Sequence, residues 1–226
     1  MTWVKICGMT NLEDALTAAE AGADAVGFVF HEKSRRNISV VAAREIVLKL
    51  PKSIEKVGVF VTLDSRHIFE IVTSVGLTAV QLHGTPSLES VLGDSRSAIE
   101  TVGVAKLIAM VPESALHRET GIGISSRIHE KVFAILIDSQ ANGGTGGTGT
   151  KFDWDASQGL IQRLGLVIPV IVAGGLTPSD VAEALRIFQP FGVDVASGVE
   201  AHPGKKDPEK VRAFVKAVRD TDRKTS

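Results

Sequence analysis

Short apolar runs alternate with amphipathic stretches along the whole chain. Runs rich in Val, Ile and Phe, many followed at once by Gly, Ser or Asp, predict strands at Trp3–Cys7, Ala25–Phe30, Lys56–Val61, Ala79–His83, Val102–Ile108, Phe133–Asp138, Val170–Ala173 and Val193–Ala196. Helical stretches lie between them. Asn11 is the expected N-cap of a helix through Glu20, with Gly22 at its stop. Ser39 should open Val40–Leu50 before Pro51, and Asp64 should open Ser65–Val75 before Gly76. Thr177–Pro178 and Asp207–Pro208 place proline at a first helical turn, opening Ser179–Phe188 and Glu209–Arg219. Weaker helical patterns cover Ser87–Leu92, Pro112–Glu130 and Ala156–Leu164.

Eight strands alternating with eight helices fit either a closed barrel or an open doubly wound sheet. Side-chain parity separates the two. Val4 and Ile6 share one face of the first strand, and Lys5 and Cys7 the other. Val80 and Leu82 oppose Gln81 and His83; Ile135 and Ile137 oppose Asp138; Val193 and Val195 oppose Asp194. An open parallel sheet covered by helices on both faces should be apolar on both. One polar-tolerant face per strand, with its polar residues toward the strand ends, suits a closed eight-stranded parallel (β/α)₈ TIM barrel with an active-site mouth.

Composition narrows the class. A chain of 226 residues is short for such a barrel but within its range, and no linker divides residues 1–226, so a single barrel domain is expected. Its 25 basic and 26 acidic side chains leave no excess charge to bind nucleic acid. The apolar runs are of strand length, too short for a membrane span. An N-terminus interrupted by charges is no signal peptide, and a single cysteine suits a reducing, cytoplasmic setting.

Barrel catalysts sit at the C-terminal ends of strands and in the loops that follow. That rule selects Cys7, Arg35 or Arg36, His83, Asp138, Gly174 with Gly175, and Asp194 with Ser197 and Gly198. The turns after strands seven and eight are the usual anion cradle of barrels, so Gly174, Gly175, Ser197 and Gly198 predict a phosphorylated small-molecule substrate. A lone cysteine is more often a small buried hydrophobe than a catalyst, but Cys7 closes a strand on its polar-tolerant face. Asp138 ends the apolar run FAILI, where an unpaired carboxylate is costly. It could be structural, or it could face the thiol as an acid faces a base. His83 could act as a base or simply satisfy its hydrogen bonds in the core. Five glycines between Gly143 and Gly149 would form a lid over the mouth. No metal-ligand cluster, dinucleotide fingerprint or P-loop is present in the sequence, so neither metal nor cofactor is expected. Lys5, Lys106 and Lys151 leave Schiff-base chemistry open.

With these residues in place, the chain resembles the phosphoribosylanthranilate isomerase family of tryptophan biosynthesis. The likeness is carried by VKICGMTN, GADAVGFVF, KSRRNIS, VGVFV, AVQLHG, the glycine-rich loop running into FDW, VAGGL, VDVASGVE and PGKKD, in that order over most of the chain. It implies an Amadori rearrangement with Cys7 as general base and Asp138 as general acid. It further implies Arg36 on the anthranilate carboxylate, the phosphate on Gly174, Gly175, Ser197 and Gly198, and Asp194 lining the substrate site. The enzyme would be a monomer or homodimer. The nearest rival is a related phosphosugar isomerase of histidine biosynthesis, which would carry two catalytic aspartates rather than Cys7. A non-catalytic phosphate-binding barrel is the reading from another class, and turnover by purified protein separates it.

Overall fold

The computed structural model describes residues 1–61, 64–83, 106–112, 132–138 and 154–225. Eight parallel strands close in sequence order into a barrel. They are β1 (Trp3–Cys7), β2 (Ala25–Phe30), β3 (Glu55–Phe60), β4 (Ala79–Leu82), β5 (Lys106–Pro112), β6 (Ala134–Asp138), β7 (Val170–Ala173) and β8 (Gly192–Val195). Closure runs through β1 and β8, where Lys5 pairs in register with Asp194. Among the described residues the helices are α1 (Leu12–Glu20), α2 (Val40–Val47), α3 (Ser65–Val75), α4 (Trp154–Gly165), α5 (Val181–Phe188) and α6 (Pro208–Thr225). A 3₁₀ turn at Ser197–Val199 and a two-stranded ribbon of β9 (Glu200–His202) and β10 (Lys205–Lys206) separate β8 from α6.

Strand parity divides the core as the sequence pattern requires. Val4, Ile6, Val80, Leu82, Ile135, Ile137, Val193 and Val195 pack outward against the helices. Ala25, Val57, Ala79, Ile108, Met110, Ala134, Leu136, Ile171 and Ala173 form the separate cluster inside the barrel. The N-terminal end is plugged by aromatic rings: Trp3 lies 6.1 Å from Phe133 and 6.3 Å from Phe191. Lys106 sits 4.9 Å above the Phe133 ring and pairs with Glu55 at this same end.

Local signals explain most boundaries. Asn11 accepts from the Asp14 N–H at 2.9 Å while its own amide donates to the Asp14 carboxylate, a reciprocal N-cap. Asp64 caps α3, which stops at Gly76 in the left-handed region at φ 81°. Several strand limits slip by one residue from expectation. The larger difference is strand five, expected at Val102–Ile108 and found at Lys106–Pro112. The run Val102–Val111 is apolar on both sides of Lys106, so composition could not fix the end. Pairing does: Ala79 registers with Lys106 and Pro112 with Asp138. Pro112 therefore ends a strand instead of opening a helix, and the rest of Pro112–Glu130 lies outside the described residues, as do Val102–Ala105 and Ser87–Leu92. Helix α5 starts at Val181, two residues after the expected Ser179, because the Asp180 carboxylate accepts from Thr177 N and Oγ1, both at 2.7 Å, and holds Pro178–Asp180 as a turn. Helix α2 ends earlier than expected, while α4 and α6 run longer.

Candidate active site

Cys7 is the last residue of β1, and its inward parity puts the sulfur at the C-terminal end of the barrel, 7% exposed. Lys5, one inward position below, has no exposed surface and donates to Asp194 Oδ1 at 2.8 Å. The end of the Lys5 side chain also lies beside the Cys7 sulfur: a Cβ built on Gly27 would stand 2.8 Å from Cys7 Sγ and 3.2 Å from Lys5 Cε. Burial by itself would drive the Lys5 ammonium down, but Asp194 and then the sulfur outweigh it and leave the amine more firmly protonated than an ordinary lysine. A Schiff base needs a neutral amine, so Lys5 is poorly suited to one. Lys106 lies at the opposite end of the barrel, and Lys151 is outside the described residues. Burial likewise pushes the Cys7 thiol up and Asp194 adds to that, while Lys5 and Lys206 pull it down; the net direction is upward.

After Cys7 the backbone turns at Gly8 with φ +83°, and a Cβ there would stand 2.4 Å from Arg36 Cδ. The Arg36 side chain thus lies across the first βα turn, 13% exposed, whereas Arg35 is exposed. Arg36 Nε and Nη2 each donate to one oxygen of Glu200, both at 2.7 Å. Lys206 donates to the same carboxylate at 3.0 Å and to the Ala196 carbonyl at 3.1 Å. Burial would raise the Glu200 carboxyl, but Arg36 and Lys206 hold it below the usual glutamate range. The Asp14 carboxylate, 1% exposed, in turn accepts from the Lys206 N–H and the Lys205 ammonium, both at 2.7 Å. Thr10 Oγ1 closes the ribbon by donating to the Gly204 carbonyl. Glu200, Lys206 and Asp14 did not emerge as site residues from the sequence, although all lie in or beside the motifs KICGMTN, SGVE and PGKKD.

The two expected anion loops meet. Gly174 and Gly175 follow β7 at φ 92° and 69°, which only glycine adopts at little cost. Gly198, in the turn after β8, would place a Cβ 1.8 Å from the Leu176 carbonyl oxygen, so its bare backbone lets the two loops touch. Ser197 precedes it in the same turn. Asp138 is the last residue of β6, half-buried and on the inward parity of Ala134 and Leu136. His83 follows β4; burial lowers its pKa against the pull of Asp138 and Asp194, so the imidazole is neutral near pH 7. Gln81 is 3% exposed on the same face of β4, and its Oε1 has no hydrogen-bond partner among the described residues. The glycine-rich segment expected as a lid, Gly143–Gly149, lies outside the described residues. Among the described residues no group of three His, Cys, Asp or Glu side chains converges as metal ligands would, and no helix is long and apolar enough to cross a membrane.

One barrel end therefore combines a buried thiol, a carboxyl group, a guanidinium held in a fixed plane and a pair of touching glycine turns. Such a set can move protons on a small phosphorylated anion. Comparison with known proteins gives the same direction. Residues 4–217 match the family model for N-(5'-phosphoribosyl)anthranilate isomerase. The enzyme of that name from Pelobacter propionicus is 41% identical over 221 residues, covering 98% of this chain and 97% of the relative. The crystal structure of phosphoribosyl anthranilate isomerase from Thermotoga maritima superposes with a TM-score of 0.80 at 39% identity, covering 97% of this chain and 100% of that one. A second structure, in complex with reduced 1-(o-carboxyphenylamino)-1-deoxyribulose 5-phosphate, gives a TM-score of 0.77 at 38% identity over the same shares.

Proposed function

The chain belongs to the N-(5'-phosphoribosyl)anthranilate isomerase family, and on that premise we propose how its barrel mouth divides the work. The reaction is the Amadori rearrangement of N-(5-phosphoribosyl)anthranilate to 1-(2-carboxyphenylamino)-1-deoxyribulose 5-phosphate, an aldose–ketose isomerisation in tryptophan biosynthesis. Asp138, in its protonated form, donates to the furanose ring oxygen, and the ring opens to a protonated imine. Cys7 as thiolate then removes the proton from C2 of the sugar, giving an enolamine. That intermediate becomes the ketone as C1 gains a proton and the oxygen on C2 loses one, so the product has the composition of the substrate. Each proton transfer is worth roughly 10²–10⁴ in rate, and substrate positioning supplies much of the remainder.

Positioning falls to two anion sites. The phosphate is assigned to the N–H groups of Gly174, Gly175, Ser197 and Gly198, and Asp194 lines the substrate site through its hold on Lys5. The anthranilate carboxylate is assigned to Arg36. Glu200 takes the Nε–Nη2 side of that guanidinium and so fixes the plane in which it can meet substrate. The whole chain would work as one barrel domain in the cytoplasm, where its only cysteine stays reduced, as a monomer or a homodimer.

The observation that carries this reading is Arg36 locked by Glu200 across the turn that follows Cys7. It supplies a planar, oriented cation where a planar carboxylate next to an amine has to be recognised. KM and kcat for Arg36→Lys, Arg36→Ala and Arg35→Ala test it. Arg36→Lys keeps charge but loses the fork and should weaken binding by about 1–3 kcal/mol. Arg36→Ala should be worse, and Arg35→Ala much milder. Equal effects at Arg35 and Arg36, or none at either, would assign the carboxylate to another group.

A further inference from the structure

Lys5 takes no part in the proton transfers assigned above, yet its ammonium lies inside the barrel with no exposed surface. A methionine or leucine of similar volume would pack there without the desolvation cost of a charge. The position of the amine shows what it serves. Lys5 and Cys7 are two residues apart on β1 and so share the inward face. Their neighbour across the ladder is Gly27, in register with Cys7. A Cβ built on Gly27 would stand 2.8 Å from Cys7 Sγ and 3.2 Å from Lys5 Cε. The sulfur and the lysine tip therefore converge over bare backbone, and Asp194 anchors the ammonium from the adjoining strand at 2.8 Å.

We propose that Lys5 is a positioning residue for the base: anchored by Asp194 inside the barrel, its ammonium supplies the fixed positive charge that offsets part of the cost of burial and stabilises the thiolate form of Cys7. The proposal rests on Cys7 being the base. The charged groups facing Cys7 are Lys5 on β1, Asp194 on β8, Lys206 on β10 and Arg36 from the loop after β2. Glu200 shares its charge with the last two, and His83 and Asp138 face the same interior from β4 and β6. Of the cations, Lys5 is the one that shares the inward face of β1 with the sulfur and exerts the largest pull toward the thiolate. Asp194 has two effects of opposite sign on Cys7. It aims the ammonium, and its own negative charge opposes the thiolate.

These opposed effects make the test decisive. The chain has one cysteine and no tyrosine, so ultraviolet thiolate absorbance, measured against Cys7→Ser, reports the titration of Cys7 alone. Lys5→Met should move that titration upward by about 1–3 pH units. Lys5→Arg, which keeps the charge, should leave most of it in place. Asp194→Asn should move it downward, since Lys5 remains and its counter-charge is gone. A role in packing alone would not give shifts of opposite sign. An unchanged or lowered titration in folded Lys5→Met overturns the proposal. Should Lys5→Met fail to fold, Lys5→Gln, neutral but still able to donate to Asp194, decides: an upward shift supports the proposal, and a downward shift or none overturns it. The pH profile of kcat/KM then isolates the base assignment. If its acid limb follows the thiol titration in each variant, Cys7 is the base; if the titration moves and the limb does not, the Lys5–Cys7 coupling stands and the base lies elsewhere.

Discussion

Gly27 leaves room for the Cys7 sulfur, and Gly8 leaves room for the Arg36 side chain. Gly27→Ala would bring a methyl group to 2.8 Å from Sγ and 3.2 Å from the Cys7 Cα, so β1 or the sulfur must move. Steady-state kinetics should show kcat falling by up to about 10²-fold, since small misplacements of a reacting group are costly. Gly8→Ala meets a different obstacle, a backbone at φ +83° with Arg36 Cδ only 2.4 Å away. Chemical denaturation should find it less stable by about 1–3 kcal/mol. The candidates Cys7 and Asp138 were legible in the sequence because each ends an otherwise apolar strand with a group that can carry a proton. Their partners were not. Lys5 reaches Asp194 across 189 residues and Arg36 reaches Glu200 across 164, pairings that exist only once the barrel has closed. Parity did mark Lys5 as an inward lysine, and an inward lysine must find a counter-charge.

At the scale of elements, the two ends of the strands have separate duties. Lys106 begins β5 beside Glu55 and the Phe133 ring, at the end away from the mouth. Lys106→Met should lower stability by about 1–2 kcal/mol, between the values for exposed and buried pairs, while kcat and KM hold near those of the parent. A large loss of kcat in the folded variant would place chemistry at the wrong end of the barrel. Caps made most helix starts readable: Asn11, Ser39 and Asp64 each accept a hydrogen bond from the first turn they precede. The signal failed at Thr177–Pro178, where proline suggested an entry but the Asp180 side chain bonds back to Thr177 and delays the helix. Sequence pattern also failed at the end of strand five, where an apolar run continuing past Ile108 left only ladder register to choose the limit.

For the molecule as a whole, alternation and parity together were enough to choose a closed barrel, because a closed barrel alone gives each strand one face toward helices and one toward a narrow interior. Closure also brings Arg36 onto Glu200, which Lys206 of the neighbouring ribbon binds as well, and this tie has a pH signature. Its carboxyl is held below the usual glutamate value by Arg36 and Lys206 against the opposing effect of burial. A group with a lowered folded pKa stabilises fully above its unfolded value, about 4.3 for glutamate, and loses that contribution as pH falls through the folded value. The melting temperature of the parent should therefore drop below about pH 4.3, and Glu200→Gln should be less stable at neutral pH with a shallower acid decline. An acid decline of the same steepness in both proteins would show that Glu200 carries none of it.

The most direct measurement follows the disappearance of N-(5-phosphoribosyl)anthranilate by its fluorescence, with purified parent chain, Cys7→Ala and Asp138→Asn compared at matched folding. The parent should turn over the substrate. Each variant should lose roughly 10²–10⁴ in kcat, with KM changed far less, because each removes one proton transfer and leaves both anion sites in place. Wild-type kcat in either folded variant would contradict the acid–base assignment for that residue.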